Sequence, residues 1–123
     1  MSGEYFELWS RSSTVAPERF EAGRLIFSEG DTGADRMYIV RSGIVEISIG
    51  NRLVETIQPN GMFGEMALVD GEPRSATARA RDNCELAPID RKLFVLMVDE
   101  APHFALNVMR VMADRLRRGS LGA

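Results

Sequence analysis

Arg36-Met37-Tyr38-Ile39-Val40-Arg41-Ser42-Gly43-Ile44-Val45-Glu46-Ile47-Ser48-Ile49-Gly50-Asn51-Arg52-Leu53-Val54-Glu55-Thr56-Ile57 is the stretch that decides the fold class. Three runs rich in β-branched and aromatic residues, Met37 to Val40, Ile44 to Ile49 and Leu53 to Ile57, are divided by Ser42-Gly43 and Gly50-Asn51. A two-residue spacer with glycine supplies the positive φ that a tight hairpin needs, so the reading is a three-strand meander. In the middle run Val45, Ile47 and Ile49 alternate with Ile44, Glu46 and Ser48, which puts the odd positions on the core face.

Outward from this stretch, short β-type runs and turn dipeptides extend from Gly23 to Ile89. That pattern predicts a mainly β fold, a β-roll or jelly-roll barrel of about eight short strands. Ala76, Ala78 and Ala80 alternate with Thr77, Arg79 and Arg81, so a face of small side chains allows close approach; after Asp82-Asn83, Cys84 to Ile89 reads as the returning strand. Beyond Ile89 the period changes. Asp90 is a candidate N-cap, and Leu93, Phe94, Leu96 and Met97 mark a short amphipathic helix. Pro102 restarts the chain, and Phe104, Val108, Met112 and Leu116, widened by Ala105, Met109 and Val111, predict a helix of about four turns that ends at Gly119. The expected organisation is an N-terminal segment 1–18 with a helical hint at Tyr5 to Trp9, a barrel over 19–89, C-terminal helices over 90–118, and a frayed tail 119–123.

The 123 residues suffice for one domain with a core, and 45% apolar and 27% charged residues with 11 Gly and 5 Pro are ordinary globular usage. The single cysteine, Cys84, excludes an internal disulfide and a thiolate metal site, and reads as a buried strand residue; a reducing, cytoplasmic setting is expected. No run reaches the ~18 apolar residues of a membrane span. The sole histidine, His103, rules out a metal enzyme of cupin type and a Ser-His-Asp triad, and no metal site is expected. A net charge of −3 gives no general attraction to nucleic acid or membrane, so an anionic ligand needs a local site. Arg115, Arg117 and Arg118 read as cations complementing a helix dipole.

That local site is the loop from Gly61 to Thr77, neither a good strand nor a long helix. Gly64 to Leu68 can form one helical turn whose free amides, approached closely at a glycine, suit an anion. Arg74 arrives at the start of the next strand with a fork of donors for phosphate oxygens. Glu65 is repulsive beside a phosphate unless it accepts from a donor such as a ribose hydroxyl. Phosphate plus free ribose hydroxyl describes a cyclic nucleotide.

Phe63-Gly64-Glu65-Met66-Ala67-Leu68 followed by Pro73-Arg74-Ser75-Ala76-Thr77 resembles the phosphate-binding cassette of cyclic-nucleotide-binding domains, the sensor shared by catabolite-activator-type regulators, cyclic-nucleotide-gated channels and kinase regulatory subunits. Phe20 to Asp31 and Met37 to Gly43 resemble the same family, so the likeness runs from Glu18 to Arg118. The resemblance implies a non-enzymatic sensor in which Glu65 takes the ribose 2′-hydroxyl, Arg74 takes an exocyclic phosphate oxygen, and the amides of Ala67 and Ser75 complete a cradle that Gly64 keeps open. Met66 and Ala76 belong to the same cassette, with Val54 and Arg118, or Arg115, on the base side. In kinase members Thr after the cassette arginine goes with guanine and Ala with adenine; Ser75 stands between, and cAMP is favoured over cGMP. Occupancy is expected to move the C-terminal helices about Asp99 to Pro102, towards an unknown effector. The alternatives are the sensor part of a transcription regulator lacking its DNA-binding domain, or a ligand-free scaffold whose last helix binds a partner or a second copy; a second apolar stripe over residues 104–116 would favour that last reading.

Overall fold

The computed structural model describes residues 4–119. The elements run α1 (Glu4–Ser12), β1 (Glu18–Phe20), β2 (Leu25–Phe27), β3 (Arg36–Ser42), β4 (Val45–Ile49), β5 (Arg52–Ile57), β6 (Met62–Phe63), α2 (Glu65–Asp70), β7 (Thr77–Ala80), β8 (Cys84–Asp90), α3 (Arg91–Glu100) and α4 (Pro102–Arg118). The strands form two four-stranded antiparallel sheets, ordered β1-β8-β3-β6 and β2-β7-β4-β5. Early strands pair with late ones in both sheets, the winding of a jelly roll, and the expected mainly β fold holds as two facing sheets rather than one closed barrel.

The meander survives only in its second half. β4 and β5 form a hairpin closed by Ile49 opposite Arg52, with Gly50 at φ +60°, and a bulge between Ile47 and Ser48 kinks it. β3 does not pair with β4; its partners are β6 and β8, in the other sheet. Ser42-Gly43 is therefore a corner between sheets. Gly43 sits at φ +84°, and a Cβ there would meet the Asn83 carbonyl oxygen at 2.4 Å, because the second corner, between β7 and β8, packs directly against it. Arg81 N donates to the Ile44 carbonyl at 2.8 Å and the Cys84 thiol donates to the same oxygen at 3.3 Å, joining the two corners. A two-residue glycine turn suits either geometry, and only the distant partner strand decides which one forms.

Alternation along β3 explains why its apolar run is continuous. Tyr38 and Val40 point between the sheets, into a core with Phe27, Val45, Ile47, Ile57, Phe63, Ala76, Ala78, Ala80, Cys84 and Leu86. Met37 and Ile39 point the other way, into a second core with Ala87 and Ile89 of β8 and with Leu8, Trp9, Leu68, Met97, Phe104 and Val108 of the helices. α1 is part of this helical layer: Trp9 Nε1 donates to the Pro88 carbonyl at 2.7 Å. Val45 and Ile47 of β4 and the alanine face of β7 are buried as their alternation requires, whereas Ile49, beyond the bulge, is only half-buried.

Asp90 caps α3, its side chain accepting from Leu93 N at 2.8 Å. Ala101, at φ −142° and ψ 86°, breaks the helix between α3 and α4, and Pro102 then opens α4. Gly119 closes α4 in the left-handed conformation at φ 75°; the remaining tail, 120–123, lies outside the described residues. The buried face of α4 differs from the expected stripe. Phe104 and Val108 are buried and Val111 and Met112 half-buried, but Met109 and Leu116 are exposed, and the next buried position is Arg115. A heptad-like spacing of 104, 108, 111 and 115 carries the stripe, and its last member is an arginine because the helix ends over a polar site.

Candidate functional site

The Gly61–Thr77 loop leaves the first sheet at β6, makes the single short helix α2, and returns as β7 in the second sheet. Gly64 precedes α2 at φ 83° with no side chain capping the first turn. A Cβ at Gly64 would lie 2.9 Å from Arg74 Nη1 and 3.4 Å from Met37 Cα, so glycine is needed for both backbone angle and space.

Arg74 is only 6% exposed, and its backbone is pinned to the loop after β2: Arg74 N donates to the Asp31 carbonyl at 2.8 Å and Gly30 N to the Arg74 carbonyl at 2.7 Å. Its guanidinium lies 3.9 Å from the centre of the Phe27 ring and donates from Nη1 to the Gly64 carbonyl at 3.0 Å and from Nη2 to the Arg36 carbonyl at 2.7 Å. These bonds occupy two of its five donors and orient the remainder. Burial lowers the pKa of this group, offset in part by Tyr38, Asp35, Asp31 and Glu65. It stays a cation, since the guanidine group is the most strongly basic of the side-chain groups.

Glu65, the first residue of α2, is fully buried. Its Oε1 accepts from Arg115 Nη1 at 2.8 Å, whereas Oε2 has no hydrogen-bond partner among the described residues. Arg115, in the last turn of α4 and 3% exposed, also donates from Nε and Nη2 to the two oxygens of Glu55 on β5, at 2.9 and 3.0 Å, and from Nη2 to the Met62 carbonyl at 2.7 Å. Burial raises the Glu65 pKa; the Arg115 charge and the residue's own backbone N–H work against that rise, and Glu55 adds to it. For Arg115 burial acts downward, but the Glu55 hydrogen bond and the two carboxylate charges hold its pKa above the ordinary arginine value. The pair is ionic, with a carboxylate oxygen left over.

The structure brings Gly64 and Arg74 into direct contact and ties Glu65 to Arg115 rather than to Arg74. Met66 is half-buried, Ala67 and Ala76 are buried, and Ser75 is exposed beside Arg74. Val54 and Arg118 line one small cleft of about 200 Å³ with Arg52, Leu53 and Gly119, which puts the two expected base-side residues together. Arg118 pairs with Asp114 at 2.9 Å and approaches Glu55 at 3.8 Å. Reading Arg115 as a mere complement to the helix dipole is corrected: it is the buried centre of a three-residue ion cluster. Its place on the 104, 108, 111, 115 row was a usable signal. Glu55, the Arg36 carbonyl and the Phe27 ring carried no local signal, because each acts on a residue far along the chain. The arrangement can take an anion at Arg74 and accept one donor, such as a hydroxyl, at Glu65 Oε2.

The sequence profile of the cyclic nucleotide-binding domain matches residues 17–100. The chain belongs to the cyclic nucleotide-binding domain family. Among curated relatives, a CRP-like cAMP-activated global transcriptional regulator of Mycobacterium tuberculosis is 33% identical over 111 residues, covering 85% of this chain and 48% of the relative. A cGMP-dependent protein kinase of Toxoplasma gondii is 32% identical over 126 residues, covering 98% of this chain and 12% of the kinase. Among solved structures, the Thermus thermophilus catabolite activator protein superposes with a TM-score of 0.78 at 30% identity, over 98% of this chain and 58% of that one. This cyclic nucleotide-binding domain thus spans about half the length of the regulator and a small part of the kinase. Among its described residues no helix is long and apolar enough to cross a membrane.

Proposed function

We propose that this domain is a cyclic nucleotide sensor that prefers cAMP and converts occupancy into movement of α3 and α4. The observation that carries the ligand reading is Glu65 Oε2, a fully buried carboxylate oxygen with no partner of hydrogen-bond geometry among the described residues, where a ribose 2′-hydroxyl would donate. An unsatisfied buried acceptor costs about 1–3 kcal/mol, so a ligand that supplies the donor gains that amount back. The phosphate goes to the spare donors of Arg74, with the amides of Ala67 and Ser75 beside it and Met66 and Ala76 lining the cassette. Val54 and Arg118 would meet the base; Ser75 stands between the threonine of guanine-preferring kinase sites and the alanine of adenine-preferring ones, and cAMP is taken as the preferred ligand.

Two contacts support the coupling. Arg115 joins the last turn of α4 to Glu65, so a hydroxyl that engages Glu65 alters the partner of a residue on the moving helix. Arg91 Nη2, on the first residue of α3, donates to the Leu68 carbonyl near the end of α2 and ties the cassette helix to the first C-terminal helix as well. The break at Ala101 lets α3 and α4 change their relative angle, and occupancy shifts that angle to the extent that ligand binds one arrangement better. Calorimetric titration of the chain with cAMP and cGMP tests the function: saturable binding, tighter for cAMP, is expected, and no heat with either at millimolar concentration refutes it.

A second copy of the chain is the partner that the exposed side of α4 favours. Leu106, Met109 and Leu116, with exposures of 41%, 56% and 50%, line up with Ala113 at alternating spacings of three and four residues on the face opposite the buried row. That spacing suits the seam of a two-helix coiled coil. Sedimentation at rising concentration should show a dimer that Met109→Glu abolishes.

A further inference from the structure

Glu55 lies on β5, outside the cassette, yet it takes more of Arg115 than Glu65 does. Its two oxygens accept from Nε and Nη2 as a fork, at 2.9 and 3.0 Å, while Glu65 receives Nη1 alone at 2.8 Å. With the Met62 carbonyl also on Nη2, all three guanidinium nitrogens are committed. The carboxylate that Arg115 shares with the cassette is the one left with an unpartnered oxygen. Charge in the cluster is unbalanced: two carboxylates share one buried guanidinium, and the nearest further cation, Arg118, is half exposed and 3.8 Å away. An anionic ligand therefore enters beside an excess of negative charge that Glu55 contributes and Glu65 cannot give up without losing its hydroxyl contact.

We infer that Glu55 is a positioning residue that sets the affinity of the nucleotide site: it clamps Arg115 onto β5, withholding that guanidinium from a bound anion, and its own charge opposes the phosphate. The inference rests on the cyclic nucleotide reading above. If Glu55 only anchored the end of α4, removing its charge would lower stability and leave ligand affinity unchanged or weaker. A clamp that competes with ligand gives the opposite sign for affinity: the unliganded chain becomes less stable while the nucleotide binds more tightly.

The test titrates cAMP and cGMP into the parent chain, Glu55→Gln and Glu55→Asp, with urea unfolding of each unliganded protein. Glu55→Gln keeps the shape and removes the charge; tightening on the order of fivefold, about 1 kcal/mol, is expected with a lower unfolding midpoint. Glu55→Asp keeps the charge but shortens the fork and should tighten binding by less; should the Gln variant not fold, tightening in the Asp variant carries the test. Placed in an Arg115→Lys background, Glu55→Gln should lose most of its gain, because the clamp acts through the guanidinium. A parent that binds, with both Glu55 variants at or below its affinity, overturns this inference alone. A parent that binds neither nucleotide overturns the proposed function and this inference with it.

Discussion

Replacing Arg115 with alanine leaves Glu55 and Glu65 facing a site without its cation. Arg115 and Glu65 are both buried, so solvent screens little of the loss. Removing one partner of a buried ion pair costs about 3–5 kcal/mol, because the remaining charge is stranded in a poor dielectric. The Met62 carbonyl also loses its donor, worth about 1 kcal/mol net. At roughly 3–5 °C per kcal/mol for a domain of this size, a total of about 4–6 kcal/mol should lower the melting temperature by about 12–30 °C at pH 8. The penalty must depend on pH in a definite direction. Burial already raises the Glu65 pKa above its ordinary 4.5, and losing the opposing Arg115 charge raises it further. The folded state then holds a proton more tightly than the unfolded state, so this residue's contribution is fully present below the ordinary carboxyl value and is lost as pH rises through the folded one. Arg115→Ala should therefore cost less at pH 5 than at pH 8, because proton uptake by Glu65 on lowering the pH relieves the stranded charge. Urea unfolding at both pH values reads the two numbers. A loss below about 1 kcal/mol at pH 8, or a loss at pH 5 as large as that at pH 8, would refute the account of a buried ion cluster.

Arg74→Lys should weaken cAMP binding at least tenfold with the fold intact, since an ammonium cannot hold the Gly64 and Arg36 carbonyls and a phosphate together; calorimetry at matched stability reads it. 2′-Deoxy-cAMP should bind the parent more weakly by about 1.5–3 kcal/mol, and Glu65→Ala should bring the two ligands' affinities together; equal ratios in both proteins would show that Oε2 meets no hydroxyl. Gly43→Ala should destabilise the chain by at least about 1–2 kcal/mol in thermal unfolding, because a left-handed alanine there also strikes the Asn83 carbonyl.

What could be read from the chain alone was everything whose physics is local. Alternation placed Val45, Ile47 and the alanine face of β7 in the core, and Asp90, Pro102 and Gly119 bounded the helices, because capping, φ restriction and side-chain period act within a few residues. The cassette was legible for a similar reason: Gly64 and Arg74 are only ten residues apart, and their contact is made inside one loop. Tertiary structure decided the rest. Ser42-Gly43 is compatible with a hairpin or a corner, and β8, more than forty residues on, settled which by pairing with β3. It also decided what Glu65 touches. The sequence shows a carboxylate in need of a donor, but Arg115, fifty residues away, reaches it only because α4 packs across β6 and brings its last turn over β5. A lone arginine at the end of a helix carries no mark of its partner, since the energy of a buried ion pair depends on burial and on distances of about 3 Å, and neither exists until the chain has folded.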